Sequence, residues 1–145
     1  MVDMDLVKQV LTHPEIYPRI TEDGAPPREE YNPPGKAIFV GGFLGDEIIG
    51  LMIYHKDTAV VWGCHVQVLP DYRDYAFDFG KQALDWLKEM TNAKKVTAQI
   101  PVLYPDVIRF AEKHGFKNEG TNKQSYLKNG QLTDKVYLGK MLWDT

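Results

Sequence analysis

Val66-Gln-Val-Leu-Pro-Asp-Tyr-Arg73 is a short apolar strand that runs into a turn and then into a helix. Where a strand feeds a helix N-terminus, backbone N–H groups and the helix dipole together present positive charge. The junction therefore suits an anion such as the pyrophosphate of a nucleotide-like ligand. Pro70 cannot donate to a strand ladder, so it ends the sheet here and helps to open a cleft.

Hydrophobic periodicity on either side of this junction predicts a mixed order of elements. The predicted elements are a helix over 4–12, a Pro-rich loop over about 21–36, strands over 37–43, 47–54 and 59–69, a helix after Asp71 that ends near Asn92, a strand over 96–100, a helix from Pro105, and short strands over 116–119, 124–127 and 135–142. This order predicts an α+β fold with an antiparallel meander and one parallel crossover.

Length and composition favour one domain over residues 1–145, because the chain is 43% hydrophobic and long enough to bury a core. The net charge of −3, without a basic stripe, argues against a nucleic-acid partner. No apolar run approaches the roughly 20 residues of a membrane span. The charged residues Asp3, Asp5 and Lys8 argue against a secretory signal, so we expect a cytoplasmic protein. The single cysteine, Cys64, is expected to be a buried free thiol, and no metal motif is evident.

Three phrases occur in a characteristic order: Val68-Leu-Pro-Asp-Tyr-Arg73, Lys113-His-Gly-Phe116 with Glu119-Gly120 after it, and Gly130-Gln-Leu-Thr-Asp134. Together they resemble the GNAT superfamily of acyl-CoA N-acyltransferases. The resemblance implies α/β/α layers: a central, mostly antiparallel mixed sheet, splayed at one point, with helices on both faces. It also implies acetyl-CoA as cosubstrate at the strand–helix junction, and an amine acceptor.

The N-terminal phrases His13-Pro-Glu-Ile16 and Ile20-Thr-Glu-Asp-Gly24 resemble a second, narrower group. It is a branch of the same superfamily that tailed bacteriophages encode, and its members have been linked to head assembly. This resemblance implies the host cytoplasm as the location. It adds a homodimer, or a phage or host protein, to the expected partners.

The resemblance assigns cofactor binding to the end of the strand and the turn after it. The residues concerned are Val66, Val68, Arg73, Asp74, Tyr75, Ala76, Phe77 and Asp78. The two valines use their backbone to pair with the pantetheine arm, and Arg73 holds a phosphate. Ala76 stands where the family has glycine, and Asp74 and Asp78 add negative charge. A carboxylate at about 5 Å from a phosphate costs on the order of 3 kcal/mol at an effective dielectric near 20. The alternative is that these acids simply cap a helix that no longer binds CoA tightly.

The catalytic positions of the family are altered. Gln99 and Ala111 stand where one branch has a glutamate base and a tyrosine acid. The remaining candidate base is His65, whose ordinary pKa near 6.5 suits proton transfer. Tyr104 is the candidate donor to a leaving thiolate. A structural histidine and a tyrosine that only walls the cleft are the alternatives.

Three functions fit these residues. The first is an acetyl-CoA-dependent N-acyltransferase that acts on an amine by direct transfer, which is mostly a problem of positioning. The second is a non-catalytic phage protein of the same fold, used in head assembly or as an accessory factor. The third is a module that binds CoA without turnover.

Overall fold

A six-stranded mixed sheet, in the order β1-β2-β3-β4-β6-β5, forms the centre of the computed structural model, which describes residues 2–143. The helices are α1 (Met4–Leu11), α2 (Tyr17–Ile20), α3 (Ala76–Met90) and α4 (Pro105–Lys113), with 3-10 turns at Arg28–Glu30 and Pro70–Tyr75. The strands are β1 (Ile38–Leu44), β2 (Glu47–Lys56), β3 (Val61–Val68), β4 (Lys95–Pro101), β5 (Lys117–Lys128) and β6 (Gln131–Met141).

The sheet opens between β3 and β4. These strands run parallel and pair only from Val61–Gly63 to Lys95–Thr97. Beyond that point β3 pairs only with β2 and β4 only with β6, so the two facing edges diverge. The predicted parallel crossover and the splay in the sheet are both confirmed.

Helices cover both faces of the sheet, as predicted. Alternate residues of a strand point to opposite faces, and in β2 Leu51 and Ile53 pack under α1 while Met52 and Tyr54 pack under α3. Two separate apolar clusters result, one on each face. Among residues 2–143, no helix is long and apolar enough to cross a membrane.

A buried hydrogen bond fixes α3 on the sheet. The hydroxyl of Tyr54 donates to the carbonyl oxygen of Ala83 at 2.6 Å, and Trp86 stacks on the tyrosine ring at 6.2 Å between centroids. Burial raises the pKa of Tyr54, so the hydroxyl keeps its proton. This contact holds the middle of α3 on the sheet.

The junction after β3 differs from the prediction. The helix expected directly after Asp71 begins only at Ala76, and Pro70–Tyr75 forms a 3-10 turn first. The cause is local: Tyr72 has φ −119° and ψ 18°, which is outside the helical region. This turn changes which side chains of the first helical turn face the cleft.

The C-terminal strands also differ. The prediction of three short strands is wrong, since the chain forms one long hairpin of β5 and β6. Register shifts between Asn118 and Gly120 and between Asn122 and Tyr126 interrupt β5, and Gly120 and Gln124 have positive φ there. Bulges of this kind break the alternation of side chains between the two faces of a strand. The alternation of apolar residues in the sequence is therefore interrupted as it would be between separate strands.

The Pro-rich segment is more ordered than predicted. It contains the 3-10 turn Arg28–Glu30 and directly follows the short helix α2, which Pro18 does not prevent because proline is tolerated in a first helical turn. Two acids tie it to the β5–β6 hairpin: Glu22 accepts from the Leu127 N–H at 2.8 Å, and Asp23 accepts from Asn129 and Gly130 at 3.0 and 2.8 Å. These N–H groups, that of Gly130 first, lower the pKa of Asp23. We call residues 21–24 the strap.

Candidate functional site

The divergence of β3 and β4 creates a crevice of about 460 Å³, which we call the first groove. Val66 and Val68 form one wall, on the stretch of β3 that has no partner on the side of β4. Val107 and Phe110 of α4 form the opposite wall. The groove thus runs along an open strand edge, which can pair with an extended chain as a further strand does.

Cationic and acidic side chains both line the first groove, and Arg73 is the cation that lies beside the end of β3. The Nε of Arg73 donates to the carbonyl oxygen of Val68 at 2.8 Å, which fixes the guanidinium beside the end of β3. Lys113 lines the same groove, and no side chain caps the N-terminus of α3. Ala76 stands where the family has glycine, but its φ is −61°. The backbone here therefore does not need the conformational freedom of glycine.

The predicted phosphate-turn residues divide into two groups. Arg73, Asp74, Ala76 and Phe77 line the first groove, together with Val66 and Val68. Tyr75 and Asp78 are exposed and line neither groove of the described chain. Only one of the two acids therefore faces the place where a phosphate would lie.

Phe77 stacks on a buried histidine. The rings of Phe77 and His114 are 4.4 Å apart, and Phe110 meets His114 edge-on at 4.8 Å. The sequence predicts capping or exposure for His114, but it is 8% exposed, and its Nε2 has no hydrogen-bond partner within residues 2–143. Burial, then the charge of Lys140, lowers the pKa of His114, so the ring is neutral.

A larger groove of about 810 Å³ continues from the first, and Val66 and Gln67 line both. We call it the second groove. His65 and Tyr104 line it, as do Gln99 and Ala111, the two residues that stand in altered catalytic positions. Tyr31 and Pro34 form part of its wall, so the Pro-rich segment encloses it. The candidate catalytic residues and the open strand edge are thus adjacent.

His65 is electrostatically unusual. The walls of the second groove partly desolvate its ring, although more than a third of the residue stays accessible to solvent. This desolvation, with smaller contributions from His55 and Lys135, lowers the pKa of His65 to about 4, against an opposing effect of Asp57. The imidazole is therefore neutral at pH 7 and has a free nitrogen lone pair, but it is a weaker base than an ordinary histidine.

A second histidine lies beside the first. The rings of His55 and His65 are 5.6 Å apart, and the Nδ1 of His55 is 2.8 Å from a carboxylate oxygen of Asp57. A carboxylate only accepts, so Nδ1 carries the proton and Nε2 of a neutral His55 is left to accept another. Asp57 and His55 thus form an oriented acid–base pair at the second groove.

Tyr104 lies just before α4 and is held from one side. The guanidinium of Arg19 is 4.7 Å from the centre of its ring, and the same guanidinium binds both carboxylate oxygens of Asp106 at 2.8 and 2.9 Å. Tyr126 is its neighbour on β5: burial first, then Tyr104, raises the pKa of Tyr126. Arg19 and Asp106 thus connect α2 to α4 across the mouth of both grooves.

Cys64 lines the second groove but is 9% exposed. Burial raises the pKa of its thiol to about 12, so the sulfur is protonated and poorly nucleophilic at neutral pH. Acyl transfer through a cysteine is therefore disfavoured relative to direct attack by the acceptor.

Sequence reasoning did not select His55, Asp57 or Arg19. The signal for His55 was present, because β2 and β3 are joined by a short turn and His55 pairs directly with Gly63, two residues before His65. Counting back from that turn places His55 diagonally opposite His65. Arg19 had no such signal, since its position depends on a four-residue helix.

No protein-family profile matches the chain, and no curated protein sequence matches it. Solved structures do. A spermidine N-acetyltransferase SpeG F149A mutant from Vibrio cholerae is similar with a TM-score of 0.65 and 19% identity, over 72% of this chain and 63% of that one. A ribosomal-protein-alanine N-acetyltransferase from Brucella melitensis has a TM-score of 0.64 and 17% identity, over 72% of this chain and 68% of that one.

A SpeG chimera from Vibrio cholerae and hSSAT is similar over 69% of this chain, again with a TM-score of 0.64 and 19% identity. The match covers 63% of that chimera, less than two thirds of its length. Identities this low establish the fold alone. The chain has the α+β GNAT fold, with its mostly antiparallel sheet opened at one point.

Proposed function

We propose that this chain is an acetyl-CoA-dependent N-acyltransferase that acts on an amine by direct transfer. The observation that carries the proposal is the unpaired edge of β3 from Cys64 to Val68, which leads from the turn that holds Arg73 to a pair of histidines. The N-acetyltransferases that share the fold support it at the level of reaction class.

The residues of the first groove fit acetyl-CoA. The backbone of Val66 and Val68 would pair with the pantetheine arm, whose amide groups need partners of this kind. Arg73 and the uncapped start of α3 would bind the pyrophosphate. Phe77 offers an apolar surface beside them. Asp74 opposes this binding, whereas Asp78 faces away and contributes little repulsion.

When bound, acetyl-CoA would supply a thioester whose carbonyl carbon bonds to the amine nitrogen while the C–S bond breaks and CoA leaves as thiolate. The protein has to orient the amine and remove its proton. His65 is neutral and lines the second groove, so it takes that proton directly or through a water molecule. Tyr104, in the same groove, is the candidate donor to the thiolate sulfur.

The test combines binding with transfer. Calorimetric titration with acetyl-CoA should show one saturable site, and a panel of amines should include at least one that is acetylated. The variant Val107→Trp places a bulky ring in both grooves and should abolish binding. Val102→Trp is the matched control, because Val102 is exposed and lines neither groove.

The outcomes separate the three functions. Absence of any heat at millimolar acetyl-CoA would overturn the proposal and leave the non-catalytic alternative. Binding without transfer to any amine would overturn turnover and leave the ligand-binding module. Binding that Val107→Trp does not weaken would show that acetyl-CoA lies elsewhere.

A further inference from the structure

The side chains that line the second groove carry mostly positive charge. The cationic residues are Arg19, Lys36, Lys56 and Lys135, and the one carboxylate of the described lining is that of Glu22. The chain as a whole has a net charge of −3. The charge of the groove lining is therefore opposite in sign to the net charge of the chain. A general excess of basic residues on the surface does not explain the positive lining.

Most of this positive charge has no partner. Arg19 is neutralised by Asp106, but Lys36, Lys56 and Lys135 form no ion pair with any residue in 2–143. Glu22 does not compensate, because one of its carboxylate oxygens accepts the backbone N–H of Leu127. The second groove thus holds three uncompensated lysines around a single, partly engaged acid.

The lysines lie at two places in the lining of the second groove. Lys36 precedes β1 and Lys56 ends β2, where the two strands are neighbours, and both line the second groove. Lys135 lies on β6, across the opened sheet. Its charge is felt at His65, where it contributes to the lowered pKa. A ligand beside His65 therefore has the charge of Lys135 near it, and Lys36 and Lys56 add positive charge elsewhere in the same groove.

The positive charge of the second groove acts on an amine in two ways. It attracts an anionic group on the same molecule, and it favours the neutral amine over the ammonium ion. The neutral amine is the form that can attack a carbonyl carbon, so the lysines reduce the demand on the weakly basic His65. A polycation has no anionic group for the lysines to attract, and its further ammonium groups are repelled.

We propose that the acceptor is a primary amine that carries a carboxylate close to the amino group, with Lys135 binding the carboxylate and Lys36 and Lys56 adding to the positive charge of the groove. A free amino acid and the N-terminus of an acidic peptide both have this chemistry. The inference rests on the proposed function. It separates this chain from the spermidine N-acetyltransferases that share its fold, since spermidine is a polycation.

The test compares four acceptors of known charge with saturating acetyl-CoA. They are L-glutamate, a short glutamate-rich peptide with a free N-terminus, a lysine-rich peptide of equal length, and spermidine. We expect the carboxylate-bearing acceptors to have kcat/KM values at least roughly tenfold above the cationic ones, because charge complementarity dominates such discrimination. The ratio of the kcat/KM values for L-glutamate and for the acidic peptide shows whether the groove prefers a free amino acid or a peptide N-terminus.

Charge reversal provides the matched variants. Lys135→Glu should lower kcat/KM for the carboxylate acceptors about tenfold and narrow or reverse the preference over spermidine. Lys117→Glu makes the same change of net charge at an exposed position that lines neither groove, so it should leave the preference unchanged. Equal effects of the two variants would assign the preference to overall charge and overturn the proposal.

A calorimetric titration with L-glutamate keeps the two proposals distinguishable. Efficient acetylation of spermidine in preference to L-glutamate would overturn the acceptor class and leave the acyltransferase standing. If no amine is acetylated, saturable L-glutamate binding that Lys135→Glu abolishes would still support the anion site while the acyltransferase fails. Absence of both transfer and L-glutamate binding would overturn both.

Discussion

The imidazole of His55 lies directly against the Cα of Gly63, its partner on the neighbouring strand, so that a methyl group at residue 63 would overlap Cε1 and Nε2 of the ring. Glycine at this position is what allows His55 to lie flat across β3 toward His65. The position of the Asp57–His55 pair in the second groove therefore depends on glycine at residue 63.

Gly63→Ala should displace His55 and break its contact with Asp57. We expect a loss of about 1–3 kcal/mol in the free energy of unfolding, the usual cost of overpacking a well-packed site. Urea denaturation measures this loss. Transfer activity should fall as well if the oriented histidine pair assists proton removal.

The control for that change is Gly35→Ala, because a Cβ at residue 35 meets no atom within 4 Å. It should leave both stability and activity nearly unchanged. In a His55→Ala background, Gly63→Ala should cost little, since the ring that it would strike is gone. An equal cost in both backgrounds would show that His55 is not the residue that Gly63 accommodates.

Asp74→Asn and Asp78→Asn form a matched pair at the same end of α3. Each removes one negative charge, but only Asp74 lines the first groove. We expect Asp74→Asn to tighten acetyl-CoA binding by roughly threefold to tenfold and Asp78→Asn by less than about twofold, since Coulomb repulsion depends on distance. The measurement is the dissociation constant of acetyl-CoA for each variant and for the unmodified chain, determined by calorimetry. Equal effects, or a larger effect of Asp78→Asn, would place the pyrophosphate elsewhere.

The pH dependence of stability should report on His65. Its pKa is about 4 in the folded chain and near 6.5 in an unfolded one, so the unfolded state binds more protons between these values. The free energy of unfolding should therefore decrease as the pH falls from about 6.5 to about 4, and change no further through this group below that. Thermal unfolding of His65→Gln should show a shallower decrease. An identical slope in the variant would mean that His65 is not desolvated.

Gly80→Ala should destabilise the chain although alanine is the better helix former. In an ordinary helix interior this change stabilises by about 0.5–1 kcal/mol. Here the new Cβ would lie 2.7 Å from the Nε2 of His114, so we expect a net loss of about 1–3 kcal/mol in the free energy of unfolding.

A double-mutant cycle tests that contact. In a His114→Ala background the clash is absent, and Gly80→Ala should become neutral or stabilising. Urea denaturation of the four proteins gives the coupling between the two positions. Stabilisation by Gly80→Ala alone would contradict the tight packing of His114 on α3.

The elements that sequence patterns predicted well are those with long periodicity. The helix over 4–12, the strand pair over 37–54 and the position of Pro105 as a helix start are close to the observed bounds. The opening of the sheet was also predictable, because Pro70 ends one edge and the family resemblance fixes the partner strands. Apolar spacing and proline chemistry act locally, so a sequence reveals them.

Side-chain direction at the site was not predictable in the same way. Whether Asp78 faces the groove depends on the rotation of α3, and that rotation is set by the 3-10 turn and the non-helical Tyr72. Gln124 has a positive φ where β5 is interrupted, and positive φ is usually predicted from glycine, which is not the residue at this position. These features follow from tertiary packing, which overrides local preference.

The strap has a consequence for how the chain reaches its native state. Its hydrogen bonds join residues that are 105 to 107 positions apart, from Glu22 and Asp23 to the last hairpin. Contacts of such long range are entropically slow to close. During synthesis the wall that encloses the histidines cannot be completed until residues 127–130 of this hairpin have left the ribosome, so ligand binding at the second groove should appear only after that point.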